Sequence, residues 1–379
     1  MLLDYETLRF IWWLLVGVLL IGFAIMDGHD LGVGTLLPWV AKTDDERRVL
    51  LNTVGPHWDG NQVWFITGGG ALFAAWPFIY ATAFSGFYWA MLAVLWTLFL
   101  RPVGFDYRSK LPYPTWRSAW DWVLFISGFV PSVIFGVAFG NLLQGVPFTF
   151  DDTLRASYTG SFWMLLNPFA LLCGLVSCAM ITFQGATFLI IKTEGTIRRR
   201  AQTAAALAGI VCALLFVAAG VWVSHIAGYH IVAGALPDAE SNPLAKVVIL
   251  QNGAWLDNYA HWPVLWALPA LGVIAALLGS ALARAGRGGL AFIASSLTQA
   301  GVIGTVGVSM FPFLMPSSLN PNASLTAWDA TSSHLTLQVM FWAAIIFTPL
   351  IVLYTAWCYR VMRGPVTEEQ IRNNSKSAY

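Results

Sequence analysis

The sequence predicts an all-α fold, a polytopic bundle of transmembrane helices, and three observations carry that prediction. Of 379 residues, 58% are hydrophobic and only 10% are charged. A water-soluble domain carries about 25% charged residues, so this chain has too little polar surface to face water on all sides. Apolar runs recur along its whole length, each near the ~20 residues that a helix needs to cross a ~30 Å hydrocarbon core. Lysine and arginine, finally, fall almost entirely in alternate connections between those runs, as they do when one side of a membrane is cytoplasmic.

Taken in order, the runs are 9–28, 49–75, 80–100, 121–143, 163–191, 204–226, 262–283, 288–312 and 337–360. Asp4 and Glu6 precede Arg9, the reverse of the basic start of a signal peptide, so the first run is expected to be retained as a helix. Only Pro77 and a few small residues separate the second run from the third. Nine crossings put the termini on opposite sides. Of the 20 basic residues, 17 lie on one side, from Lys42, Arg47 and Arg48 to Arg360, Arg363, Arg372 and Lys376. Arg9, Arg155 and Lys246 alone lie on the other. The N-terminus is therefore expected outside and the C-terminus in the cytoplasm. Residues 1–379 read as a single membrane domain: two four-helix bundles, helices 1–4 and 5–8, plus a ninth helix. The outward loop 227–261 and the Pro- and hydroxyl-rich stretches 311–318 and 324–333 are expected to form an ordered outer cap, the hydroxyls satisfying free backbone groups. The polar tail from Gly364 is expected to be flexible.

Several function classes are excluded at this level. A net charge of +1 gives no basic face for nucleic acid. Cys173, Cys178, Cys212 and Cys358 lie inside apolar runs without metal-like spacing and read as small apolar packers. The sequence has no Walker motif, no dinucleotide fingerprint and no nucleophile elbow in a strand–helix context.

The densest polar stretch is Gly55-Pro56-His57-Trp58-Asp59-Gly60-Asn61-Gln62-Val63-Trp64. A carboxylate at membrane depth is expensive and marks function by default. Counted from Arg48, Asp59 stands about 16 Å along a continuous helix at 1.5 Å per residue. Asp27 and Asp30 flank His29 at the same-side end of the first run. Asp59 reads either as a proton carrier or as a structural acid bonded to Trp58, Asn61 or a neighbouring helix. Asp27 and Asp30 read as a proton mouth or as a solvated helix end. Haem requires an axial ligand, but no two of the six histidines share i, i+3 or i+4 spacing on one helix. His57 is therefore expected to partner a carboxylate, with no metal bound. Arg101 and Asp106, in Arg101-Pro102-Val103-Gly104-Phe105-Asp106-Tyr107-Arg108, read as charges that pair with each other or with a neighbouring subunit. Gly136, Gly140, Asn141 and Gln144 suit close helix–helix contact.

These stretches, with Asp4-Tyr5-Glu6, Leu8-Arg9-Phe10-Ile11-Trp12-Trp13 and the segments 70–77, 140–148, 311–318 and 324–333, carry a family likeness. From its first residues to its tail the chain resembles subunit II of the cytochrome bd-type quinol oxidases of bacteria. The resemblance implies a subunit of a terminal oxidase of the bacterial inner membrane. That complex oxidises quinol near the outer face, reduces dioxygen to water and draws protons from the cytoplasm. It further implies that haem b and haem d are ligated by the partner, subunit I, and none by this chain. Subunit II would serve assembly and part of the cytoplasmic proton route. Asp59 matches the family's acid on helix 2, Asp30 an acid on helix 1, and Arg101 and Asp106 the paired charges ending helix 3. Asp27 joins the expected proton pathway, with His57, Asn61 and Gln62 as supporting polar residues. His29 stands where relatives often carry an aromatic side chain. The resemblance also leaves room for a bound quinone and for a small single-helix accessory subunit. Two further classes compete. A proton-coupled secondary transporter would show inverted repeats and broken helices. A pure assembly scaffold would make every charge silent.

Overall fold

A computed structural model describes residues 3–373, in which thirteen α-helices are joined by short loops and three two-stranded antiparallel hairpins. Lys376, counted above with the cytoplasmic charges, lies outside the described residues. Eight helices among the described residues are long and apolar enough to cross a membrane.

Helix α1 (Tyr5–Val40) starts at Asp4, whose side chain accepts from the Thr7 backbone N–H. It was expected to end at residue 28 but runs on for 36 residues, about 54 Å. The reason is tertiary. Gly32 allows α1 to press on α7 (Pro168–Lys192), where a Cβ on Gly32 would come 2.3 Å from the Ile181 carbonyl oxygen. Gly128 of α6 (Pro114–Gln144) makes the matching approach, since its Cβ would come 2.4 Å from the Leu31 oxygen.

The second expected span is two helices. A capping box of Thr43 and Glu46 opens α2 (Asp44–Val54), and α3 (Trp58–Ala75) follows only after a break at 55–57. Pro56 explains the break, because proline lacks the N–H that a continuous helix needs and crowds the preceding turn. The 16 Å estimate for Asp59 therefore fails: Asp59 lies in the first turn of α3. With 18 residues, α3 is about 27 Å long, but it is too polar to count among the eight. Pro77 likewise begins α4 (Pro77–Gly86), and the third span continues, after Phe87, as α5 (Tyr88–Tyr107).

The remaining long helices are α8 (Gly195–Val223), α10 (Ala267–Arg284), α11 (Gly288–Met310) and α12 (His334–Val361); the short α9 (Asp257–His261) sits in a loop. Helix α1 packs on α3, α6 and α7, and α5 on α6; α7 packs on α8 and α11, and α10 on both of those. The long helices thus form two four-helix groups that share the seam of α1, α6 and α7. Helix α12 stands outside both, touching α1 and α3, with its apolar stretch exposed along its length. Within the described part of the tail, which was expected to be flexible, six residues are helical. Helix α13 (Glu368–Asn373) lies on α2 with Ile371 buried, and Arg372 pairs with Asp45 at 2.7 Å.

Charges separate to the two ends of the bundle. At one end, Asp121 takes Arg47 at 2.7 Å and the fully buried Arg108 at 2.6 Å, while Asp44 takes Arg108 at 2.9 Å and Arg117 at 2.6 Å. Glu46 pairs there with Arg200 at 2.8 Å. Burial pushes the Glu46 carboxyl up, but the backbone N–H groups of Lys42 and Thr43 and the Arg200 guanidinium outweigh it and hold the carboxyl below its ordinary value. At the other end, three hairpins make the cap: β1 (Phe148–Phe150) with β2 (Ala156–Tyr158), β3 (Ala227–Gly234) with β4 (Lys246–Asn252), and β5 (Phe313–Met315) with β6 (Leu325–Thr326). Tyr229, Trp255 and Phe313 form its buried centre. Arg9 of α1 reaches up to the Pro237 carbonyl, Ser241 and Thr331. Lys246 meets Asp329 at 2.8 Å; burial pulls its amine below the ordinary lysine value even with that carboxylate beside it.

Candidate functional site: a buried histidine–carboxylate cluster

Helix α1, the break before α3 and the end of α12 bring five polar side chains together. The His29 Nδ1 donates to the Ile25 carbonyl at 2.9 Å, as an imidazole one turn along a helix can. With the proton fixed on Nδ1 in the neutral ring, Nε2 is left with a free lone pair. That atom faces Asp30 Oδ1 at 3.4 Å and the Tyr359 hydroxyl at 3.3 Å. His57 presents Nδ1 to the same centre, 3.4 Å from Tyr359 Oη and 3.7 Å from Asp30 Oδ1. The Asn61 amide donates to Asp30 Oδ2 at 2.8 Å and lies 3.0 Å from His57 Nδ1; Tyr359 donates to Asn61 Oδ1 at 3.0 Å. His29, Asp30, His57 and Asn61 are all buried. Phe188 walls the cluster, its ring 4.1 Å from that of His29.

One turn before Asp30, Asp27 pairs with Arg101 at 2.6 Å; the two residues are 1% and 3% exposed. This corrects two expectations. Asp27 and Asp30 do not form a solvated helix end, because α1 continues past them into the packed seam. Nor does Arg101 pair with Asp106. Five residues apart on α5, the two point to different faces, and Asp106 is exposed with no partner among the described residues.

Asp59 is placed differently again. It is exposed, and among the described residues it bonds neither to Trp58, nor to Asn61, nor to another helix. It belongs to a stripe of α3 turned off the bundle, with Val63, Ile66, Thr67 and Gly70. Gln62 is half-buried beside it. Its place in the first turn of α3 suits an anion, since unsatisfied N–H groups give that end partial positive charge.

Sequence reasoning missed His29 and Tyr359 as members of the cluster. His29 had a signal, an imidazole between two aspartates; Tyr359 had none, being one of 11 tyrosines near the end of an apolar run. A separate cavity of 510 Å³ lies between the helix groups, lined by side chains such as Phe23, Phe135, Phe169, Met180 and Phe216.

A family model described as cytochrome bd terminal oxidase subunit II matches residues 8–362. The chain belongs to the cytochrome bd subunit II family. It is 57% identical, over the full length of both chains, to cytochrome bd-I ubiquinol oxidase subunit 2 of Escherichia coli (strain K12). A probable cytochrome oxidase subunit 2 of Haemophilus influenzae is 53% identical over 378 residues, again the whole of both chains. The cytochrome bd ubiquinol oxidase subunit 2 of Bacillus subtilis is 32% identical, covering 96% of this chain and 98% of its own. The fold is similar to a chain of the bd oxidase structure from Geobacillus thermodenitrificans, with a TM-score of 0.67 at 18% identity over 94% of this chain and 98% of that one. As a cytochrome bd subunit II, the protein is a multi-pass component of the bacterial inner membrane and part of a respiratory quinol oxidase complex, which implies a partner subunit I. The transporter reading falls with that assignment.

Proposed function

We propose that this subunit carries protons from the cytoplasm towards a haem-bearing subunit I and supports that subunit's assembly, while contributing no haem ligand itself. The observation that carries the reading is Asp59, an exposed carboxylate without a partner among the described residues, on a largely apolar helix face. An ionisable group inside a membrane faces protein or water rather than lipid, so the partner subunit covers this stripe of α3. Asp30 and Asp59 carry the proton. Asp27, already charge-paired with Arg101, backs the pathway electrostatically, and the Tyr359 hydroxyl, which can both donate and accept, bridges Asn61 and the histidines. Asp106, exposed at the end of α5, contacts the partner or collects protons at the basic end. The 17 basic residues on that side support its assignment to the cytoplasm.

Haem does not fit this chain. Its two buried histidines are both turned to Asp30, and the apolar cavity presents no imidazole. That supports the reading in which haems b and d are ligated by subunit I. A quinone tail, if this subunit holds one, matches the chemistry of that cavity. A small single-helix accessory subunit would find apolar surface along α12.

Asp59→Asn in the intact complex tests the reading. The expected result is quinol oxidase turnover lowered about tenfold or more, the scale of a lost proton-transfer group, with the haem spectrum unchanged. Normal turnover with normal haem would refute the relay. Loss of haem would make Asp59 a structural residue, whereas the scaffold reading predicts no change at all.

A further inference from the structure

We propose that His29, Asp30 and His57, with Asn61 as a fourth ligand, bind a divalent transition-metal ion of the zinc type. Nothing in the residue spacing points to a metal, because no two histidines share one helix face; the fold supplies the pair from two different segments.

The geometry comes first. His29 Nε2, a carboxylate oxygen of Asp30 and His57 Nδ1 all lie within 4.8 Å of one another. Two of the separations are 3.4 and 3.7 Å. A tetrahedral ion bound at 2.0–2.1 Å sets its ligand atoms about 3.3 Å apart, so a small inward movement completes the shell. The Asn61 side-chain nitrogen stands 2.8 Å from Asp30 Oδ2, 3.0 Å from His57 Nδ1 and 3.5 Å from His29 Nε2. A half-turn of that amide exchanges nitrogen for oxygen with little movement of either position and offers a fourth ligand atom.

The donor–acceptor balance points the same way. With the His57 proton on Nε2, which has no hydrogen-bond partner among the described residues, the buried centre holds two imidazole lone pairs and a carboxylate. Against them stand only the two amide hydrogens of Asn61, because the Tyr359 hydroxyl is directed to Asn61 Oδ1. Asp30 Oδ1, on a side chain 1% exposed, has no hydrogen-bond partner among the described residues and lies between the two rings. Nearby cations are engaged elsewhere: Arg101 with Asp27, and Lys192 with the Met362 carbonyl. Buried acceptors in excess are costly without a cation. The His29 tautomer is also the one a ligand needs, since its second nitrogen donates to a backbone carbonyl, the usual outer-shell arrangement of a metal-bound imidazole. Two imidazoles and a carboxylate suit zinc and its first-row neighbours rather than calcium or magnesium, which take all-oxygen shells.

The test uses the purified, haem-loaded complex with zinc sulfate as the probe. After incubation and gel filtration in the presence of a weak chelator, zinc is counted by mass spectrometry and normalised to haem. The wild type is expected to retain about one zinc per complex, and His29→Phe less than about a fifth of that. Phenylalanine suits the site sterically, because the His29 ring already lies 4.1 Å from Phe188 and 6.1 Å from Phe292. Zinc X-ray absorption on the wild type is expected to show two imidazoles in the first shell, a readout that needs no variant and no turnover. Three results would overturn the proposal: no zinc retained by the wild type, which would leave a shared proton as the cluster's cation; equal zinc in His29→Phe; or a first shell with fewer than two imidazoles. None of these measurements depends on Asp59 carrying protons, so the relay at Asp59 is tested separately, whereas zinc on Asp30 would take that carboxylate out of the relay.

Discussion

Arg101 and Asp27 meet at 2.6 Å in a place with almost no solvent, so neither can lose the other cheaply. Removing one member of a buried pair leaves an uncompensated charge and costs roughly 3–5 kcal/mol, whereas replacing both with apolar groups of similar size is far milder. Arg101→Met should therefore sharply lower the thermal stability of the detergent-solubilised complex, and the double variant Arg101→Met with Asp27→Leu should recover much of it. A double variant as unstable as the single would show that the pair is not the reason. At this scale the sequence was partly legible. Asp59, Asp30 and Asp27 stood out because carboxylates are rare in apolar runs. Their surroundings did not, because Asp27 is held by Arg101 of another helix, and no periodicity reports that. The contact of His29 with His57 joins residues 28 positions apart across a helix break, and local spacing cannot reveal such a pair.

Elements show the same division. Pro56 and Pro77 were visible as break points, yet the apolar character of 49–75 argued for one continuous helix, and backbone chemistry overrode it. The length of α1 was missed because its apolar run ends long before its helix does. Helix α1 gives a direct test of why it can run so far. A Cβ at Gly28 would meet its neighbours at 3.8 Å or more, an ordinary contact, whereas one at Gly32 would lie 2.3 Å from the Ile181 oxygen. Gly28→Ala should be neutral or raise stability by up to about 1 kcal/mol through helix propensity. Gly32→Ala should force α1 and α7 apart at a cost of roughly 1–3 kcal/mol. Melting temperatures of the two variant complexes check the contrast; equal values would refute it. Helix α2 carries a pH-dependent clasp. Because the Glu46 carboxyl is held below its ordinary value of 4.5, its contribution is fully present above that pH and is lost as pH falls through the lowered value. Glu46→Gln should destabilise the complex by about 1 kcal/mol at pH 7, the scale of a lost cap with a partly exposed ion pair. The gap to the wild type should close as pH falls through that lowered value. A gap that persists in acid would assign the effect to packing.

For the molecule as a whole, composition and the one-sided basic residues were enough to read a helical membrane bundle, whereas the grouping of its long helices rests on packing that the order of the runs does not show. What they left open was which face meets a partner. The stripe of Asp59, Val63, Ile66 and Thr67 on α3 is now the specific candidate. Single cysteines at Val63 and Ile66, which are 45% and 65% exposed on this chain, should react with a membrane-permeant maleimide several-fold more slowly in the intact complex than in the subunit expressed alone. Equal rates would place the partner on another face.

The position of α12 has a consequence in time. It leaves the ribosome after the other long helices described, it lies outside both helix groups, and it brings Tyr359 to a cluster whose other members belong to α1 and the start of α3. Chains are built and begin to fold from the N-terminus. During synthesis the histidines and Asp30 therefore wait, open on one flank, until α12 arrives. A chain truncated before that point would insert its first helices normally yet keep an unfilled polar notch in the bilayer, and such a notch is a mark by which a protease can tell an unfinished subunit from a finished one.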